Sequence, residues 1–227
     1  MEKRGKLFYL AACLMFLLFA LPFVEGRILA GKLMTLFFTF VLISGVYAVS
    51  GTRRINIIIS MSLGLPSVML IWLDQLSPHP AIDVITLSLV MLFCLFTVFC
   101  MLRYLMRAKK VSADVLSGAV STYLLFGISW AMIYALIELS APDSFSVGSV
   151  FGSHALEKWA TFNYYSFMTL TTVGYGDIIP VTTAAQSFAV LEAVTGVLFV
   201  ALLVSRLVSM YVYQFSREEK ESAGDNA

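Results

Sequence analysis

The sequence predicts an all-α membrane protein with six transmembrane helices, and with a short re-entrant helix and a glycine-containing loop between helices five and six. Three observations carry that prediction. Of 227 residues, 59% are hydrophobic and only 13% are charged, far too apolar for an ordinary soluble domain. Six apolar runs each come close to the roughly 20 residues that cross the hydrocarbon core of a bilayer. The connectors between the first four runs are a few residues each, which leaves no room for a soluble domain among them. A formal net charge of +1 gives no sign of a nucleic-acid partner. Cys13, Cys94 and Cys100 all fall inside apolar runs, where a thiol behaves as a small hydrophobe, so neither a disulfide framework nor a metal site is expected.

The first run, 7–24, follows Lys3, Arg4 and Lys6. A signal peptide has the same order, but this run is long for one and has no small-residue cleavage site near its end, so a retained first span is expected. Further spans are expected at 28–50, 55–73 and 81–106, a fifth at about 119–139 and a sixth at about 183–213. Between the last two, 140–153 is rich in Ser, Gly and Pro and reads as an exposed loop. The apolar and aromatic stretch 157–170 is too short to span and has the length of a re-entrant helix. The end, 216–227, is charged and small, and is expected to be a disordered cytoplasmic tail.

Cytoplasmic loops collect Lys and Arg. On this topology Lys3, Arg4, Lys6, Arg53, Arg54, Arg103, Arg107, Lys109, Lys110, Arg206, Arg217 and Lys220 share one side. Arg27, Lys32 and Lys158 fall on the other, Lys32 at a span end from which it can snorkel outward. A multi-pass protein of the plasma or inner membrane, with both termini cytoplasmic, is expected.

After the short helix comes Thr171-Thr172-Val173-Gly174-Tyr175-Gly176-Asp177. Pointing successive carbonyls at one axis requires a backbone that alternates between ordinary and positive φ, which glycine adopts without a Cβ penalty. Gly174 and Gly176 stand at alternate positions. Residues 172–176 are the TVGYG loop of potassium selectivity filters, a match to a known motif and not a derivation. On these residues the chain resembles the potassium channel family, firmly over 119–213 and before that only in the number and order of spans.

The resemblance implies a four-helix transmembrane domain at 1–110 and a pore domain at 111–215, made of outer helix, pore helix, filter and inner helix. Potassium would be the permeant ligand, held by the carbonyls of Thr172, Val173, Gly174 and Tyr175 with the Thr172 hydroxyl below them, and no cofactor is implied. One chain supplies one loop and a ring needs four, so the expected partners are three further copies of the chain in a homotetramer, within a lipid bilayer. The expected activity is conduction and not catalysis.

The same resemblance assigns supporting residues. Tyr164 and Tyr165 occupy the places from which an aromatic side chain bonds the closing Asp177, and Thr171 adjoins the filter. Met168 replaces an acidic residue that some bacterial relatives carry, so filter inactivation resting on that carboxylate is not carried over. Glu192 lies deep in the sixth span, where an ionisable group is costly unless partnered or facing water. It is placed behind the filter with Thr169 or a backbone amide as donor, or is a structural residue without a role in conduction. Gly196 stands at the family's hinge; glycine costs about 1 kcal/mol in a helix relative to alanine, so bending or close packing must account for it. Val197, Val200, Val204 and Val208 recur at three- and four-residue spacing, a stripe that either gates by dewetting or faces another helix.

A voltage sensor needs several arginines spaced through a span, and the fourth span has none in its middle; Arg103 and Arg107 sit at its inner end. Weak or absent voltage dependence is expected. The short tail leaves no space for a nucleotide- or calcium-sensing domain, so regulation would act through lipid, tension, pH or a separate subunit. The reading is a potassium-selective channel subunit. Its alternatives are a less selective cation channel, against which Tyr175 argues, and a non-conducting regulatory subunit with a pore fold.

Overall fold

The computed structural model describes residues 6–20, 27–50, 54–76, 80–108, 110–147 and 155–224. In chain order these form α1 (Lys6–Ala20), α2 (Arg27–Val49), α3 (Arg54–Leu76), α4 (Pro80–Arg107), α5 (Ala113–Ser140), β1 (Phe145–Val147), α6 (Ala155–Leu170), β2 (Ile178–Pro180) and α7 (Thr183–Gly224). Among the described residues four stretches are helical, long and apolar enough to cross a membrane: Arg54–Leu73, Ala81–Arg107, Ala113–Ser140 and Thr183–Ser216. Shorter apolar stretches, Leu7–Leu18 and Thr35–Val49, lie in α1 and α2. The expected end of the first span, 21–24, falls outside the described residues.

Two elements depart from the expectation. The fold is nearly, and not wholly, helical, because β1 pairs antiparallel with β2, placing Phe145 opposite Pro180 and Val147 opposite Ile178. The Glu138 carboxylate makes this possible by accepting from the Asp143 and Phe145 amides at 3.0 and 3.2 Å, which turns the chain at Asp143 (φ 62°) as it leaves α5. The second departure is at the tail. Of the expected disordered tail, 216–224 is helical because α7 continues to Gly224, and 225–227 fall outside the described residues. Arg, Glu, Lys and Ala are strong helix formers, and a helix already nucleated propagates through them cheaply.

The main core is shared by α1, α2, α4 and α5. Leu10, Leu14, Leu17, Val41, Leu42, Phe93, Leu125 and Ile128 are fully or almost fully buried in it. The first turns of α1 and α5 are joined, since Asp114 accepts from the Leu7 amide at 3.2 Å. Ser112 caps α5, its hydroxyl accepting from the Val115 amide. At the same end of the molecule Arg206 of α7 donates through Nη2 to the carbonyls of Met106 and Ala108, at 3.0 and 2.9 Å, where α4 runs out of intrahelical donors.

At 16 residues α6 is about 24 Å long, short of the ~30 Å hydrocarbon thickness. Trp159 near its start packs edge-on against Phe38 of α2, ring centroids 5.0 Å apart. Phe162 and Tyr165 enter a second core with Tyr134 of α5 and Phe145 of β1. The other side of α6 meets α7 at Gly196. A Cβ there would fall 2.7 Å from Leu170 Cδ1 and 3.1 Å from the Leu170 carbonyl oxygen, so close packing accounts for this glycine.

Two opposing effects should then meet in substitutions of Gly196. Alanine gains about 1 kcal/mol of helix propensity and loses a similar amount to crowding, so Gly196→Ala should melt near the wild type. Gly196→Val adds bulk without that gain and should cost about 1–3 kcal/mol, read as a lower thermal midpoint of the detergent-solubilised protein.

Candidate functional site

Helix α6 ends in a way that starts the loop after it. The Val173 amide donates to the Met168 carbonyl at 2.9 Å and the Thr172 amide to the Thr169 carbonyl at 3.0 Å. These are the paired bonds of a Schellman motif, which satisfy carbonyls that the helix has orphaned. The residue in the left-handed position of such a motif is usually glycine. Here it is Thr172, at φ 61°. A β-branched residue is costly there, by about 1–2 kcal/mol, and the sequence alone gave no sign of it. Thr171 donates its hydroxyl to the Phe167 carbonyl at 2.6 Å and so finishes the helix on the same turn.

From Thr172 onward the alternation continues, with Gly174 at φ 54° and Gly176 at φ 78°. A Cβ on either glycine would meet nothing within 4 Å, so the backbone conformation and not crowding calls for glycine. The loop is bare in the single chain, with Val173 49% and Tyr175 72% exposed.

Asp177 closes the loop. Its Oδ2 accepts from the Tyr164 hydroxyl at 2.7 Å and its Oδ1 from the Ile178 amide at 3.1 Å, which ties the loop's exit to α6 and to the start of β2. Of the two tyrosines expected at Asp177, Tyr165 is elsewhere. Its ring is buried against Tyr134 and Phe145 at 5.0 and 5.4 Å, and its side chain hydrogen-bonds Thr169.

Glu192 is fully buried, as its depth in the sixth span suggested. Its partners are not Thr169 or a backbone amide. Tyr134 reaches Oε2 and Ser166 reaches Oε1, each at 2.5 Å. A register on the two helices links this contact to the next: Ser166 and Leu170 are four residues apart on α6, as are Glu192 and Gly196 on α7, so the two pairs form successive rungs of one seam. Val200, Val204 and Val208 lie further along α7, exposed in the single chain. Among the described residues no three His, Cys, Asp or Glu side chains converge to hold a metal ion.

The hydrogen bond to Asp177 raises the Tyr164 pKa to about 12, above the usual phenol value of about 10. With the proton held more tightly in the folded state, the bond is intact below pH about 10 and is lost as pH rises through about 12. Tyr164→Phe should remove this brace at every pH and lower the thermal midpoint of the detergent-solubilised protein by about 1 kcal/mol's worth of stability. Ultraviolet titration of the variant should show one late-ionising tyrosine fewer than wild type.

Residues 119–213 match the model of the family described as Ion channel. The A-type voltage-gated potassium channel KCND3 of Rattus norvegicus is 32% identical over 108 residues, 46% of this chain and 16% of that protein. The potassium voltage-gated channel subfamily A member 7 of Homo sapiens is 44% identical over 62 residues, 27% of this chain and 14% of that protein. The chain thus spans less than a fifth of the length of these relatives. Over residues 119–213, where a glycine loop of alternating handedness lies between helices long and apolar enough to cross a membrane, the chain is similar to these ion channel proteins.

Proposed function

We propose that the chain is one subunit of a homotetrameric, potassium-selective channel. The observation that carries this reading is the run of positive φ at Thr172, Gly174 and Gly176, set directly on the C-terminal end of α6. Alternating handedness turns successive carbonyls toward one side, as oxygens replacing a cation's water must be turned. The helix end behind them carries about half a negative charge, which favours a cation in front of it. Four copies close the ring, and the exposure of the loop in the single chain is consistent with it. Potassium at Thr172, Val173, Gly174 and Tyr175 is the permeant ligand. Asp177 and Tyr164 brace the filter from outside.

In this reading all six apolar helices span, α6 is the re-entrant pore helix, and both termini are cytoplasmic by the placement of basic residues. The filter then opens to the extracellular face. α7 is the inner helix, with Gly196 letting it pack closely on Leu170 of α6 and Val200, Val204 and Val208 as a gate that closes by dewetting. The relatives named above are voltage-gated by name. This chain's α4 carries Arg103 and Arg107 only near its C-terminal end, so little charge crosses the field, where each unit would contribute about 2.3 kcal/mol per 100 mV. Conduction is therefore weakly voltage-dependent.

Liposomes containing the purified protein should take up potassium in preference to sodium, barium should block the flux, and Gly174→Ala should abolish it. The alanine carries about 1–2 kcal/mol of left-handed strain in each of four copies. Verified tetramers that pass both ions equally would indicate the less selective channel, and tetramers that pass neither would favour a regulatory subunit. A conductance–voltage curve should be shallow; a steep one with several gating charges per chain would refute the assignment for α4.

A further inference from the structure

Ser166 has one hydrogen and two acceptors within reach. Its oxygen lies 2.5 Å from Glu192 Oε1 and 2.8 Å from the Gly127 carbonyl oxygen. A hydroxyl donates once, so only one of these contacts can use the serine proton. Were Glu192 a carboxylate, the other pair of oxygens would face each other lone pair to lone pair. A proton on Glu192 Oε1 removes the conflict. Oε1 then donates to Ser166, Ser166 donates to Gly127, and the Tyr134 hydroxyl donates to Oε2 at 2.5 Å. Each of the three donors then has an acceptor, the Tyr134 hydroxyl taking Oε2 over the more distant Phe188 carbonyl oxygen at 3.5 Å. The carboxyl's hydrogen-bond partners are the hydroxyls of Tyr134 and Ser166, neither of them a cation to balance a buried negative charge.

We propose that Glu192 is a positioning residue for the filter and acts as a neutral carboxylic acid, at the centre of a hydrogen-bond relay from Tyr134 through Glu192 and Ser166 to Gly127. The relay pins α6 to α5 and α7 at once. Met168 and Thr169, whose carbonyls hold the amides of Thr172 and Val173, are two and three residues past Ser166, within the same turn. A shift of Ser166 therefore moves the atoms from which the filter backbone hangs. This rests on the reading of residues 172–176 as a potassium filter.

The test uses the full-length tetramer in liposomes, comparing wild type with Glu192→Gln, Glu192→Ala and Ser166→Ala. Infrared difference spectra of wild type against Glu192→Gln should contain the carbonyl stretch of a protonated carboxyl group. The amide of Glu192→Gln accepts from Tyr134 and donates to Ser166 as the acid does, so its potassium-to-sodium flux ratio should stay within about twofold of wild type. Glu192→Ala and Ser166→Ala break the relay and should lower that ratio about tenfold, the size of one lost hydrogen bond. Absence of the protonated-carboxyl band, or a Glu192→Gln variant as impaired as Glu192→Ala, overturns the proposal. If wild type passes no potassium, it is the channel reading that fails. The infrared band, together with the melting of Glu192→Gln against Glu192→Ala tetramers, then still decides where the proton sits.

Discussion

A helix that ends among apolar neighbours must find donors for its last carbonyls, and the rest of the site follows from how α6 solves this. The donors come from the next residues of the chain, which bend back through a left-handed Thr172. That bend is also the first step of an alternating backbone, so helix termination and loop geometry are one structure. The strain of a threonine in a glycine position is tolerated because its neighbours are fixed on both sides: Thr171 by its bond to Phe167, and Val173 and Gly174 by the Met168 carbonyl.

Such a loop is only as well placed as the helix that carries it, and α6 is held from three directions. Aromatic rings from α5 and β1 pack on Phe162 and Tyr165. α7 supplies the seam of Glu192 and Gly196. The third restraint is the outer hairpin. Asp177 passes directly into β2, whose partner β1 is turned by Glu138, so the loop is anchored at its exit as well as its entrance. Polar contacts at this depth specify position as well as stability, because an alternative packing would leave the Glu192 carboxyl unpartnered.

How much of this was legible in the sequence depends on how local the cause is. Apolar runs gave α2, α3 and α4 to within a few residues, since burial in lipid needs only length and composition, whereas α5 begins at Ala113 and not near 119, and α7 runs past 213 to Gly224. The glycines of the loop were legible for the same reason: positive φ is a property of the residue itself. What was missed is long-range. The partners of Glu192 lie 26 and 58 positions away, and nothing in the spacing of Ser166 and Tyr134 distinguishes them from other hydroxyls on the same helices. The β1–β2 pair joins two three-residue segments separated by a whole helix, each too short to show strand periodicity. Thr172 was missed because residue preference argues against the conformation that the helix end imposes.

The contact of Arg206 with the end of α4 has a mechanical meaning. Its guanidinium bridges two carbonyls of that terminus, so the C-terminal end of α4 is fastened to a point part-way along α7. Should α7 swing at this level, it either takes α4 along or surrenders both charge-assisted bonds. The fastening works equally in reverse. A displacement of the α4 terminus that keeps both bonds moves this part of α7 with it.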